Sequence, residues 1–258
     1  MKNKNILSAL SVLILASLAC SLFGAPAPTP APGDNSALPS EPVVEEASPT
    51  PQPADCFNAY YPVKEGATWT YQISGTSTDT FTRSIISATD SEFTDQDAFG
   101  SGTTRTGQWR CENGALISLT PGGGAAAVSA AGQTMNFTVT ANSGITIPAR
   151  MDAGSAWSQD ISFESTQDAG GTQVTSQNQA AISCTVIGRE SVTVPAGTFD
   201  ALKVECQSKI TITIAGMSPI VFEGPSISWY AEGVGMVKNV GSAAGYETTI
   251  ELTAYQIP

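Results

Sequence analysis

From residue 68 onward the chain alternates. Trp69-Thr70-Tyr71-Gln72-Ile73 places apolar side chains at every second position with polar ones between, and Phe81-Thr82-Arg83-Ser84-Ile85 keeps the same rhythm. Ile210-Thr211-Ile212-Thr213-Ile214 is the cleanest case, with isoleucines on one face and threonines on the other. A period of two marks a half-buried strand. Residues 135–140, 157–163, 181–187, 191–194, 201–208, 227–230, 234–240 and 248–255 carry the same character, separated by glycine-rich turn signals. No stretch shows the spacing of an amphipathic helix. The pattern predicts roughly a dozen strands in one all-β domain over residues 55–258. Two Ala/Gly-rich stretches, 122–132 and 168–179, read as loops, with a short helix open near 125–131. A sequence echo, G-x-x-W-[ST], opens strands at Gly66 and again at Gly154; related halves and coincidence both account for it.

The N-terminus follows a different rule. Lys2 and Lys4 precede an apolar run over 6–19, too short for a membrane span of about 20 residues but right for a signal peptide. It ends in Ser17-Leu18-Ala19-Cys20, which resembles the lipobox of bacterial lipoproteins except that Ser17 stands where leucine is usual. The resemblance implies cleavage after Ala19 and a diacylglyceryl group on Cys20. Leu15-Ala16-Ser17 offers an ordinary secretory peptidase an alternative site. Residues 25–54 hold nine prolines and no aromatic residue. Such a segment buries too little to offset the entropy of folding, so 20–54 reads as an extended tether.

Charge narrows the function. The 258 residues include no histidine, 11 Lys plus Arg and 23 Asp plus Glu, a net charge of −12. Without histidine there is no Ser-His-Asp or Cys-His catalysis and no histidine metal ligand. A net negative chain has no cationic surplus for nucleic acid. Cleavage after Ala19 removes Lys2 and Lys4 and leaves 9 basic and 23 acidic side chains, net −14. Membrane attachment then has to come from lipid, since anionic headgroups repel this surface.

With Cys20 committed to lipid, Cys56, Cys111, Cys184 and Cys206 remain for an oxidising compartment. Pro195-Ala196-Gly197 reads as a tight turn between antiparallel strands, and it sets Cys184 and Cys206 at similar distances on one face. The expected pairs are Cys184–Cys206 and Cys56–Cys111. A one-residue slip of register would separate the first pair.

Other candidate chemistry is thin. Asp90, Glu92, Asp95 and Asp97 form an acidic stretch that reads as a solvated loop or a weak calcium site, without the glycine and terminal glutamate of an EF-hand. Pro121-Gly122-Gly123-Gly124 lacks the Lys-Ser/Thr ending of a phosphate loop. Glycoside hydrolysis needs only two carboxylates, and no pair stands out. Trp69, Tyr71, Trp109, Trp157, Trp229 and Tyr230 either anchor the core or line a groove for an apolar ligand.

Three motifs carry a family resemblance. The stretch 61–71 (YPVKEGATWTY) resembles the opening strand of bacterial exported proteins of the DUF3108-like families, 193–204 (TVPAGTFDALKV) their central hairpin, and 229–238 (WYAEGVGMVK) their late strand-turn-strand. The resemblance implies a curved, mostly antiparallel sheet or partly open barrel like that of periplasmic lipoprotein carriers. It brings no catalytic residues and no cofactor. Together the readings describe a lipoprotein exported to the outer or cell-surface membrane. Its domain is a non-enzymatic envelope-surface or structural module, or alternatively one that holds an apolar, lipid-like ligand on the concave face.

Overall fold

The computed structural model describes residues 55–120, 127–130, 133–168, 173–243 and 246–258. The expected signal segment and tether lie outside them. Thirteen strands occur among the described residues: β1 Thr68–Gly75, β2 Asp79–Ala88, β3 Glu92–Phe99, β4 Thr104–Glu112, β5 Ala115–Ser118, β6 Ala127–Ala130, β7 Gln133–Gly144, β8 Ala156–Asp168, β9 Gln173–Val194, β10 Gly197–Ile214, β11 Ile220–Ala231, β12 Gly235–Ala243 and β13 Tyr246–Gln256. All pairings are antiparallel, nearly all between chain neighbours, and β13 returns to pair with β1. The result is a curved meander that nearly closes into a barrel, which leaves few edges for uncontrolled pairing.

One seam is not sealed by a ladder. The outer side of β4 is divided between β5, at Trp109–Glu112, and β6, at Thr104–Thr106. Among the described residues a single bridge lies beyond β5, Leu116 to Ile147. Side chains cross the gap instead. Asn142 Nδ2 and Gln159 Nε2 donate to the Ser118 carbonyl at 2.8 and 3.1 Å, and the Ser118 amide donates to Thr146 Oγ1 at 2.7 Å.

Residues 55–67 cap one end of the barrel. Asn58 Nδ2 donates to the carbonyls of Gly114 and Pro148, and the Gly233 amide donates to the Ala59 carbonyl. The disulfide Cys56–Cys111 fastens this cap to β4.

The G-x-x-W echo is matched by geometry. Gly66 and Gly154 both sit at positive φ, +81° and +82°, a conformation that glycine adopts without a Cβ clash. The Gly66 amide donates to Ile85 O and the Ile85 amide returns to Ala67 O; the Gly154 amide donates to Val186 O and the Val186 amide returns to Ser155 O. Trp69 then stands opposite Arg83, and Trp157 opposite Cys184. Ile85 and Val186 are each followed by a bulged isoleucine, Ile86 and Ile187, both exposed. The β1–β2 and β8–β9 corners are therefore one local structure used twice.

Three expectations need correction. The stretch read as a loop at 168–179 is strand from Gln173 onward, because Ser176 and Asn178 face inward and hydrogen-bond there. Within 122–132, Ala127–Ala130 forms β6, not a helix; residues 121–126 and 131–132 lie outside the described residues. The acidic stretch is not a solvated loop: Glu92, Asp95 and Asp97 belong to β3, and only Asp90 and Glu92 are exposed.

Candidate functional site: a buried ion cluster and an outer-face cleft

In β2, Arg83 has the parity of Phe81 and Ile85, so it points into the barrel. In β3, Asp95 and Asp97 share the inward parity of Phe93. Register places Arg83 opposite Asp97, and Asp97 opposite Arg105 of β4. Arg83 grips Asp97 with two bonds, Nε to Oδ1 at 2.8 Å and Nη2 to Oδ2 at 2.9 Å, while Arg105 Nη2 takes the same Oδ2 from the other side. Asp95 accepts from Tyr61 Oη at 2.8 Å and lies 3.8 Å from Arg83. This is the planar, bidentate geometry that makes arginine–carboxylate pairs strong.

Burial and charge pull these groups apart. Burial alone would raise the Asp97 carboxyl, but the guanidiniums of Arg83 and Arg105 overrule it and hold it at about 2. Asp95 has weaker cationic support, and burial keeps it above the ordinary carboxylate range. Burial, reinforced by Asp95, pushes the Tyr61 hydroxyl well up; burial raises Tyr71 and takes Tyr230 to about 12. Arginines and carboxylates balance in number and saturate one another. The cluster fixes strands rather than offering a free acid or base. Among the described residues no group of Asp, Glu or Cys is placed to hold a metal, so the calcium candidate at Asp90, Glu92, Asp95 and Asp97 is overturned by Asp95 and Asp97 turning inward onto arginines.

The six aromatics weighed as groove or core are all buried. Their polar tips are mostly engaged by protein. Trp69 Nε1 donates to Val234 O at 2.7 Å, Tyr71 Oη to Met236 O at 2.9 Å, Trp157 Nε1 to Thr146 O at 3.0 Å, and Trp229 Nε1 to Glu190 Oε1 at 2.6 Å. Trp109 Nε1 is buried with no hydrogen-bond partner among the described residues; its ring stacks on Phe93 at 5.2 Å and lies 5.5 Å from Tyr61. These side chains are packing anchors and do not form an apolar groove. Cys184 and Cys206 stand directly opposite each other in β9 and β10 and are bonded.

A cleft of about 370 Å³ opens elsewhere, on the outer face of β8–β11. Two cross-strand rows build it: Ser158, Ser183 and Gln207, then Asp160, Ala181, Lys209 and Glu223. Small Ala181 and Ser183 form the floor, and Asp160, Gln207, Lys209 and Glu223 on the flanking strands form the walls. Lys209 and Glu223 are ion-paired. Asp160 and Glu223 sit three strand spacings apart, about 14 Å between backbones. With Lys209 already on Glu223, this is not the close carboxylate pair of a glycosidase. No sequence motif marked this cleft. Its signal, Ser and Ala at outward positions of one strand between longer polar residues on the next, appears only once register is known.

The fold has solved counterparts. A Bacteroides fragilis protein with a YmcC-like fold, provisionally described as exported, superposes with a TM-score of 0.50 at 16% identity, covering 78% of this chain and 100% of its own. A Parabacteroides distasonis protein provisionally described as a lipoprotein gives 0.53 at 19% identity, covering 77% of this chain and 99% of its own. At these identities the likeness concerns fold alone. A search of the curated proteins returned no significant match. The three motifs at 61–71, 193–204 and 229–238 lie almost wholly within the span matched by the DUF3108-like family model, residues 63–243; the chain belongs to the DUF3108-like family.

Proposed function

We propose that this chain is an exported lipoprotein. In this reading it is cleaved after Ala19, acylated on Cys20 and spaced from the membrane by residues 20–54. Its 55–258 barrel acts at the envelope surface as a non-enzymatic structural module. One observation carries the reading: all four cysteines of the barrel are paired, with no free thiol among the described residues. Such pairing persists in exported proteins and is rare where thiols are kept reduced. The exported and lipoprotein descriptions of the two fold relatives support it. Among the described residues no helix is long and apolar enough to cross a membrane. The structural role is favoured over an apolar-ligand carrier because the aromatics that would line the carrier's groove are committed to packing. The test is metabolic labelling with an alkyne fatty acid in the native host. Wild type is expected to be labelled and to sediment with membranes, and Cys20→Ala to lose both properties. Equal labelling of the variant, or free release of wild type into the medium, would overturn the reading.

A further inference from the structure

We propose that the outer-face cleft of β8–β11 binds a neutral glycan. The inference is independent of lipid anchoring and rests on the cleft's shape and its donor–acceptor pattern. Its volume of about 370 Å³ falls at the lower end of small-ligand sites. Across the floor, Ala181 and Ser183 leave the space between β8 and β10 open, roughly two strand spacings, or about 10 Å. That is a short trough, wide enough to seat a sugar ring.

The walls choose the chemistry. Asp160 accepts, the Gln207 amide both donates and accepts, the Lys209 ammonium donates, and the hydroxyls of Ser158 and Ser183 do both. A ligand satisfying such a mixed array must present many groups that also donate and accept, which is the character of a polyhydroxylated sugar chain. An anion is disfavoured because Lys209 is already paired with Glu223 and Asp160 adds a second acidic side chain to the lining. An apolar ligand is disfavoured because Ile182, the one large apolar residue at the cleft, is buried with the inward parity of Cys184 and the outward residues around it are small or polar. A peptide adding as a strand is disfavoured too. At this level β9 and β10 are paired on both sides, so their backbone groups are already used.

The experiment is saturation-transfer NMR and calorimetry on the full chain in a sugar-free detergent, with cellohexaose, chitohexaose and maltohexaose as probes. At least one hexaose is expected to bind with a Kd below about 10 mM. Ala181→Tyr fills the trough from an outward position and is expected to weaken binding more than about ten-fold with unchanged thermal unfolding. Asp160→Asn is expected to weaken it several-fold, and Thr193→Tyr, exposed near the β9–β10 turn, to leave it intact. Failure of all three probes to bind, or equal binding by Ala181→Tyr and wild type, would overturn the proposal.

Discussion

In the first corner Trp69 stands opposite Arg83, which stands opposite Asp97; in the second Trp157 stands opposite Cys184, which stands opposite Cys206. The glycine turn, the reciprocal amide hook and the bulged isoleucine are shared. What differs is the lock across the next strand. The second corner uses a covalent bond that carries no charge and asks nothing of its neighbours. The first uses a buried ion pair, whose desolvation is costly unless the remaining hydrogen-bonding capacity is met. Its surroundings meet that need with a second guanidinium from Arg105 and with Asp95 held by Tyr61. The comparison teaches that one register position can be secured by either chemistry. The ionic version drafts in a second acid of β3, Asp95, and polar residues of two further elements, Arg105 in β4 and Tyr61 in the cap.

The sharpest way to break the first lock is Asp97→Asn, which removes the carboxylate shared by the buried Arg83 and the half-buried Arg105. A loss of about 3–5 kcal/mol in urea unfolding is expected. Replacing the whole ladder at once, Arg83→Met with Asp97→Leu and Arg105→Met, is expected to cost less than the single change, because the one group left without its cation, Asp95, is a carboxyl that burial already raises and that can take up a proton, which a guanidinium cannot shed. If the triple variant is the less stable of the two, the pair is contributing net stability and the comparison must be redrawn.

Breaking the second lock has a smaller expected effect. Cys184→Ala with Cys206→Ala frees a loop of sequence separation 22 and is expected to cost about 3 kcal/mol on the chain-entropy account. Urea unfolding under non-reducing conditions measures it. A loss near zero would mean that the strands are held by packing alone.

The same contrast explains what could be read from sequence. The disulfide corner and its strands alternate cleanly, since Ile182, Cys184, Val186, Leu202, Val204 and Cys206 are apolar and inward. Even there a hidden element matters. Counting back from the β9–β10 turn, Cys206 would meet Thr185; the bulge at Ile187 shifts the register by one and brings it to Cys184. The ionic corner reads poorly because its inward positions are Asp95, Asp97, Gly107 and Ser118, which look like loop. Strands β3, β4 and β5 were invisible to a search for alternating apolar residues for that reason. One signal was present. Arg83 shares the parity of Phe81 and Ile85, so an inward cation required an inward acid, and Asp95 and Asp97 are spaced to face one side of a strand. The 173–179 stretch was obscured the same way, by inward Ser176 and Asn178.

The amides of Ile85 and Val186 make the same hook in the two corners, so their exchange rates compare the locks directly. Asp97 is depressed in the folded state to about 2, so its contribution is present above the unfolded carboxylate value of about 4 and is lost as pH falls through about 2. Hydrogen exchange corrected for intrinsic rates is therefore measured at about pH 5 and pH 2, with and without reductant. The account expects acid to lower protection at Ile85 more than at Val186, and reductant to lower it at Val186 more than at Ile85. Equal losses at both amides under both treatments would contradict it.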